Sequence, residues 1–281
     1  MNGELEYLKI LENVLNNGFL KNNRTGISAY TLPHMMLQHD MSLGFPLFTT
    51  KKLGIKSISA ELEFFIKGIT DKKWLQDRKC NIWNEWCNPN KIPINLDENE
   101  KKEFQLNEKD LGKIYGYQWR NFNSQDYDQL KIIIDKLKKD PYDRRLLCSA
   151  WNPLQFDEMA LPPCHVLWNI QIINNKLNLC WYQRSADIFL GIPYNIASYG
   201  LLMKLLCLES GYEEGILTGF LADVHIYENH INQVKEQISR KPFDLPKINI
   251  NNFKSIFDWE YTDIELINYN HHPIIKAPIA V

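Results

Sequence analysis

Apolar positions along the chain switch between helical and extended spacing. Between residues 4 and 20, Leu5, Leu8, Ile10, Leu11, Val14 and Leu15 recur as on an amphipathic helix, with Gly18 near its expected end. "IKSISAELEFFIKG" repeats that spacing at Ile55, Ile58, Leu62, Phe65 and Ile66, closed by Gly68, and "YDQLKIIIDKLKKD" predicts a third helix stopped by Pro141. "YNIASYGLLMKLLCLESGY" is apolar almost throughout and predicts a central helix, whereas "HIYENHINQVKEQISR" predicts a surface one. Short β-favouring runs predict strands: "RRLLCSAW" as a buried strand, "LPKINI" as a late one, and "VLWNIQIINNKLNLCWYQRS" as two strands joined at Asn174-Asn175. Residues 88–110 are polar and predict a surface excursion. Helices and strands mix without regular βαβ alternation, so an α+β or mixed-sheet fold is expected over a doubly wound one.

Composition narrows the classes. Of 281 residues, 44% are apolar and 12% aromatic, ample for a sizeable core. A net charge of -2 offers nucleic acid no basic face. Only seven of the 32 basic residues are arginine, so each arginine is a candidate for anion contacts that its planar fork makes and lysine does not. The six cysteines contain no CxxC pair and no zinc spacing, which argues against a metal. No leader peptide is visible at "MNGELEYLKI" and no window approaches 18 apolar residues, so a cytoplasmic protein without a membrane span is expected.

Candidate chemistry gathers in a few stretches. "LPPCHVLW" places Cys164 on a loop stiffened by Pro162 and Pro163; nucleophile and packed thiol are both open readings, and a thiolate would need positive charge beside it. His165, next in sequence, points to the other face of a strand and is a poor activating base. "YQRSAD" offers Arg184, Ser185 and Asp187 as an anion site or a salt-bridged turn. Arg144 and Arg145 in "DPYDRRLL" would diverge on a regular strand. Arg24 lies in "NNRTGIS" beside a turn. Glu61 is either a boundary residue of its helix or a carboxylate with a raised pKa. Trp83 and Trp86 in "IWNEW" are core or a wall for a flat ring. Asn195 is a helix N-cap or an amide facing a heterocycle edge. Asp223, His225 and Tyr227 in "DVHIY" would share one side of an extended segment.

Taken in order, "RTG", "GFPLFTTKK", "ELEFFIKG", "IWNEW", "YGYQWR", "DPYDRRLL", "ALPPCHVLW", "YQRSADIFLGIPYNIASY", "HIYENH" and "HHPIIKAPIAV" resemble the thymidylate synthase family from Arg24 to the C-terminus. The resemblance implies one α+β domain over residues 1–281, built on a mixed β-sheet flanked by helices, with a variable polar excursion at about 88–110. It also implies a homodimer with its two sheets packed back to back. The implied reaction is reductive methylation of dUMP to dTMP, with 5,10-methylenetetrahydrofolate as carbon donor and hydride source and no metal. Cys164 would add to C6 of uracil, with Glu61 managing protons through water, Tyr115 near the reacting centre, and Asn195 reading the uracil edge. Arg24, Arg184 and Ser185 would hold the phosphate, joined by Arg144 and Arg145 of the neighbouring subunit, while His225 and Tyr227 hold the ribose. Lys51, Ile82, Trp83, Asp187, Leu190, Gly191, Tyr194 and Val281 fall at folate positions. No nucleic acid is required for activity. Ala222, where many relatives carry glycine, departs from the pattern, as does the excursion.

Three rivals are weighed against that reading. A dCMP hydroxymethylase on the same scaffold would carry Asp at the Asn195 position, and Trp83, placed to exclude water, favours reduction over hydration. A Cys/His acyl-transfer enzyme would leave the arginines unexplained. A non-catalytic nucleotide or RNA binder would have no need of Cys164, Glu61 and Asn195 together.

Overall fold

The computed structural model describes residues 1–23 and 26–279. Helix α1 (Gly3–Asn17) is capped by the Asn2 side chain, which accepts the amides of Glu4 and Leu5. It ends at Gly18, as its apolar pattern suggests. Gly18 has extended backbone (φ -67°, ψ 143°), and a Cβ there would lie 2.4 Å from the Val14 carbonyl oxygen. The chain then turns into β1 (Phe19–Lys21), so Phe19 and Leu20 sit exposed on a strand and not on the helix.

A six-stranded sheet in the order β1-β2-β6-β5-β4-β3 organises the rest. Strand β2 (Ala29–Asp40) pairs antiparallel with β1 and with β6 (Glu213–Tyr227). Strands β4 (His165–Ile173) and β5 (Lys176–Asp187) form the expected hairpin. Asn174 and Asn175 both take positive φ there (49° and 60°), as the tightest hairpin turns require. Strand β5 runs parallel to β6, and α7 (Gly191–Ser210) makes the crossover between them. The one parallel pair makes the sheet mixed, as expected.

Helix α7 is buried along most of its length and packs on β5, β6 and α2 (Ile55–Ile66), which accounts for its lack of a polar face. Helix α2 ends just before Gly68, whose φ of +66° suits glycine. Short helices α3 (Lys73–Asp77) and α5 (Tyr115–Arg120) follow it, the latter packing on α2. Helix α6 (Gln129–Lys139) leads to the sheet edge, and α8 (Ile231–Ile238) packs on α1. A separate two-stranded ribbon pairs β7 (Lys247–Ile250) with β8 (Ile264–Ile267).

Two expectations need correction, and one gains detail. "RRLLCSAW" yields only β3 (Leu147–Ser149), an edge strand paired on one side, with Cys148 buried but Leu147 exposed. "HIYENHINQVKEQISR" is a strand end, a single 3-10 turn and then α8, because His225 and Tyr227 belong to β6. The polar excursion holds a helix of its own, α4 (Glu98–Asn107), whose capping box joins Asp97 and Glu100.

Close packing between β5 and β6 depends on a missing side chain. Gly219 lies opposite Trp181, and a Cβ at Gly219 would come within 2.5 Å of the Trp181 ring. That ring is fully buried and stacks on Tyr199 of α7 at 5.0 Å. Gly219→Ala is therefore expected to destabilise the fold by about 1–3 kcal/mol through overpacking, read as a lower midpoint in urea unfolding. An unchanged midpoint would mean that the indole moves aside without cost.

Candidate active site

Proline lacks an N–H, so the backbone before Cys164 has carbonyls to satisfy and few donors of its own. Arg184 on β5 supplies the donors: Nε donates to the Pro163 carbonyl (2.9 Å) and Nη2 to that of Pro162 (2.7 Å). Nη2 also lies 3.8 Å from the Cys164 Sγ, and the Arg184 amide donates to the Cys164 carbonyl. The β4–β5 register slips between His165 and Leu167, an irregularity of the kind that re-aims side chains at strand ends. From the other side, the Tyr115 hydroxyl accepts the Cys164 N–H at 2.7 Å. The thiol is thus held on a fixed loop against a guanidinium, a setting that favours the thiolate.

Cys164, Arg184 and Ser185 form one side of a cavity of about 710 Å³ that His225, Tyr227 and Asp223 also line. The last three alternate along β6, as their spacing predicts. Lys21 pairs with one oxygen of Asp223 (2.6 Å), and the other lies 3.1 Å from His225 Nδ1. The bond to His225, seconded by Lys21, pulls the Asp223 carboxyl down to about 2. Burial alone would lower the His225 pKa, but the hydrogen bond and charge of Asp223, with Asp187 beyond, raise it instead.

A second group of side chains adjoins through Tyr115. Glu61 on α2 accepts the Trp83 indole N–H at 2.8 Å, and Trp83 makes an edge contact with Tyr115 at 6.0 Å. Burial pushes the Glu61 carboxyl up to about 7, against the lowering effect of the indole donor. Glu61 is half-buried, at the edge of the buried face of α2, and desolvation is the main cause of that rise. His165 packs between Tyr115 and Tyr199, and burial holds it down to about 4 despite its bond to Asn195, so it is neutral near pH 7. Asn195 lies inside the first turns of α7 and is no N-cap; the helix is preceded by Leu190. Its orientation follows from a chain of donors. The Trp181 indole, which only donates, binds the Gln183 carbonyl oxygen (3.1 Å); the Gln183 amide nitrogen then donates to Asn195 Oδ1 (3.1 Å).

At the start of α7, Asp187 accepts the amides of Phe189 and Leu190 and so shapes the turn that leads to Gly191 and Tyr194. Lys51 is buried, lies 3.6 Å over the Phe189 ring and donates to the Phe189 carbonyl. Burial brings it down to about 7, opposed by Asp187 and reinforced by Arg240. Ile82 packs, half-buried, against the core beside Trp83.

Of the expected site residues, Cys164, Arg184, Ser185, His225 and Tyr227 line the cavity, and the other described ones do not. Arg144 and Arg145 are exposed ahead of β3, with Arg145 Nε bound to Asp143 at 2.8 Å. Arg24 and Val281 lie outside the described residues. Sequence reasoning passed over Lys21, Trp151 and Gln183. Lys21 and Trp151 line the cavity. A basic residue three places before Arg24 could have drawn attention to the first; Gln183 gave no signal beyond lying inside "YQRSAD". Among the described residues, no group of three His, Cys, Asp or Glu could hold a metal ion.

A thiol, its guanidinium and an adjoining desolvated carboxyl, set on an α+β scaffold, define an enzyme site. The thymidylate synthase family model matches residues 5–281. The thymidylate synthase of Mycoplasma pneumoniae (strain ATCC 29342 / M129 / Subtype 1) is 44% identical over 287 residues, covering 98% of this chain and 99% of that protein. Those of Mycoplasma genitalium and Mycoplasma mobile are each 44% identical with the same coverage. The chain belongs to the thymidylate synthase family and is a methyltransferase.

Since the indole donor favours the ionised form of Glu61, Trp83→Phe is expected to raise the Glu61 pKa above its present value of about 7. A carboxyl-carbon NMR titration checks this, with a lower or unchanged midpoint counting against the hydrogen bond.

Proposed function

We propose that this chain methylates dUMP to dTMP, drawing on 5,10-methylenetetrahydrofolate as co-substrate and releasing dihydrofolate. The observation that carries the reading is Cys164 on the cavity wall, held by Tyr115 at its amide and by Arg184 at its sulfur. In this reading the Cys164 thiolate adds to C6 of uracil, and C5 becomes the nucleophile that takes up a one-carbon unit. The folate supplies that unit; loss of the C5 proton and elimination of tetrahydrofolate leave an exocyclic methylene, and hydride from the tetrahydrofolate reduces it to the methyl group, giving dihydrofolate. Glu61, poised near neutrality, moves protons through water at the reacting face of the pyrimidine. Loss of Cys164 from C6 restores the ring and the free thiol.

Each remaining group has a fitted task. Arg184 and Ser185 face the phosphate, with Arg24 beside them. Tyr227 and His225 hold the ribose hydroxyl, with Asp223 bound to His225 Nδ1 and orienting the ring. Gln183 donates to the Asn195 carbonyl oxygen and orients the amide to read the uracil O4/N3 edge, its nitrogen donating to O4 where cytosine carries an amino group. The turn shaped by Asp187, with Leu190, Gly191 and Tyr194, and the wall of Ile82 and Trp83 would receive the flat folate ring, Lys51 its tail, and Val281 would close over both.

A homodimer is also proposed. Met36, Phe220 and Tyr182 lie side by side across β2, β6 and β5, all exposed, forming an apolar row on the sheet. A second copy packed against that row would let the exposed Arg144 and Arg145 reach the partner's phosphate site. A cytoplasmic location is proposed with it, since no disulfide links the cysteines among the described residues.

The test is turnover of dUMP with methylenetetrahydrofolate, products identified by mass. The expected products are dTMP and dihydrofolate; hydroxymethyl-dUMP with no dihydrofolate would overturn the reading in favour of a hydroxymethylase. Cys164→Ser is expected to abolish nearly all turnover while nucleotide binding persists, and an active variant would exclude covalent addition. Asn195→Asp should shift preference towards dCMP, since a protonated acid there suits cytosine N3 and its amino group. Unchanged selectivity would remove Asn195 from its assigned role.

A further inference from the structure

Lys72 is fully buried, yet its ammonium pairs with no carboxylate among the described residues. All three of its protons go to main-chain carbonyls: Asn84 and Trp86 at 2.9 Å each, and Gln105 at 2.5 Å. Two of these acceptors belong to the turn that carries Trp83, closed by the Trp86 amide bonding to the Trp83 carbonyl. The third lies in the last turn of α4, where helix carbonyls have no intrahelical partner. The same residue is stitched to the excursion through its backbone as well, its amide donating to the Lys109 carbonyl at 2.9 Å.

A buried ammonium satisfied in this way is a clamp. Its removal would leave three carbonyls buried without donors and would free the 83–86 turn from α4. The consequence reaches the active site in one step, because the indole of Trp83 both donates to Glu61 and packs edge-on against Tyr115. We propose that Lys72 is a positioning residue that couples the polar excursion to the Trp83 wall, so that α4 governs the folate end of the site. The proposal rests on the functional reading above, in which Trp83 excludes water from the methylene intermediate.

The decisive experiment compares Lys72→Met with a second variant in which residues 94–106 are replaced by a short Gly-Ser linker. The second removes the Gln105 carbonyl but keeps Lys72, and it touches only surface helix, so it remains informative if the first fails to fold. Both are expected to raise the KM for methylenetetrahydrofolate, by about tenfold for Lys72→Met, through misplacement of a positioned wall. Hydroxymethyl-dUMP should appear beside dTMP while the KM for dUMP stays unchanged; mere loss of stability would reduce active protein without this split. Hydrogen exchange of the Trp83 indole N–H, followed by NMR, should quicken in both variants. If the unaltered chain makes no dTMP, the functional reading fails, and the clamp is then judged on indole exchange alone. Unchanged folate KM and unchanged exchange in both variants would overturn the proposal.

Discussion

A guanidinium carries five N–H donors in one plane, and Arg184 spends two of its nitrogens on the carbonyls of Pro162 and Pro163. Prolines keep that loop from forming an ordinary ladder with β5, so the side chain does what backbone amides do elsewhere. With both bonds made, the cation can only stand where it does, beside the Cys164 sulfur. The same contact therefore fixes the loop, aims the thiol and lends it charge. Every other group at the site is positioned relative to this one, because β5 also carries Ser185 and Asp187 and lies next to the strand bearing His225 and Tyr227.

Burial raises both of the acids that matter, and their partners decide the net shift. Glu61 meets desolvation with one indole donor for relief, and its carboxyl rises to about 7. Asp223 meets desolvation with a histidine and a lysine, and it falls to about 2. The first is left able to take and give a proton near neutral pH; the second is a permanent anion that orients His225. Tyr115 joins the two regions, touching Trp83 on one side and accepting the Cys164 amide on the other. Through Tyr115 and Trp83 the raised carboxyl and the thiol belong to one set of side-chain contacts.

Sequence pattern found the elements that bury one clear face, the one that is apolar almost throughout, and the Asn-Asn turn. Helices α1, α2, α6 and α7 and the Asn174-Asn175 hairpin were legible for that reason. Strand β2 was not, because Pro33 interrupts it and His34 takes a φ of +47° between the two halves of its pairing with β6. Most of β6 was equally hidden. Gly215 and Gly219 break its alternation, and the reason for Gly219 is an indole from the neighbouring strand that the local sequence does not show. Helix α4 was missed because it buries no side chain fully and is held by its capping box and a lysine from elsewhere.

Residue chemistry and spacing, taken alone, set the candidates: a thiol after two prolines, scarce arginines, a polar row at every second position of one segment. Those are local properties, and a linear pattern carries them. Whether Cys164 was a nucleophile or a packed thiol, and whether Glu61 was a boundary residue or a desolvated acid, depended on which distant groups came to rest against them. Arg184 is 20 residues from Cys164, Trp83 is 22 from Glu61, and Tyr115 is 49 from Cys164. Charge and desolvation act through space over a few ångströms, so only the folded chain shows which groups surround each candidate.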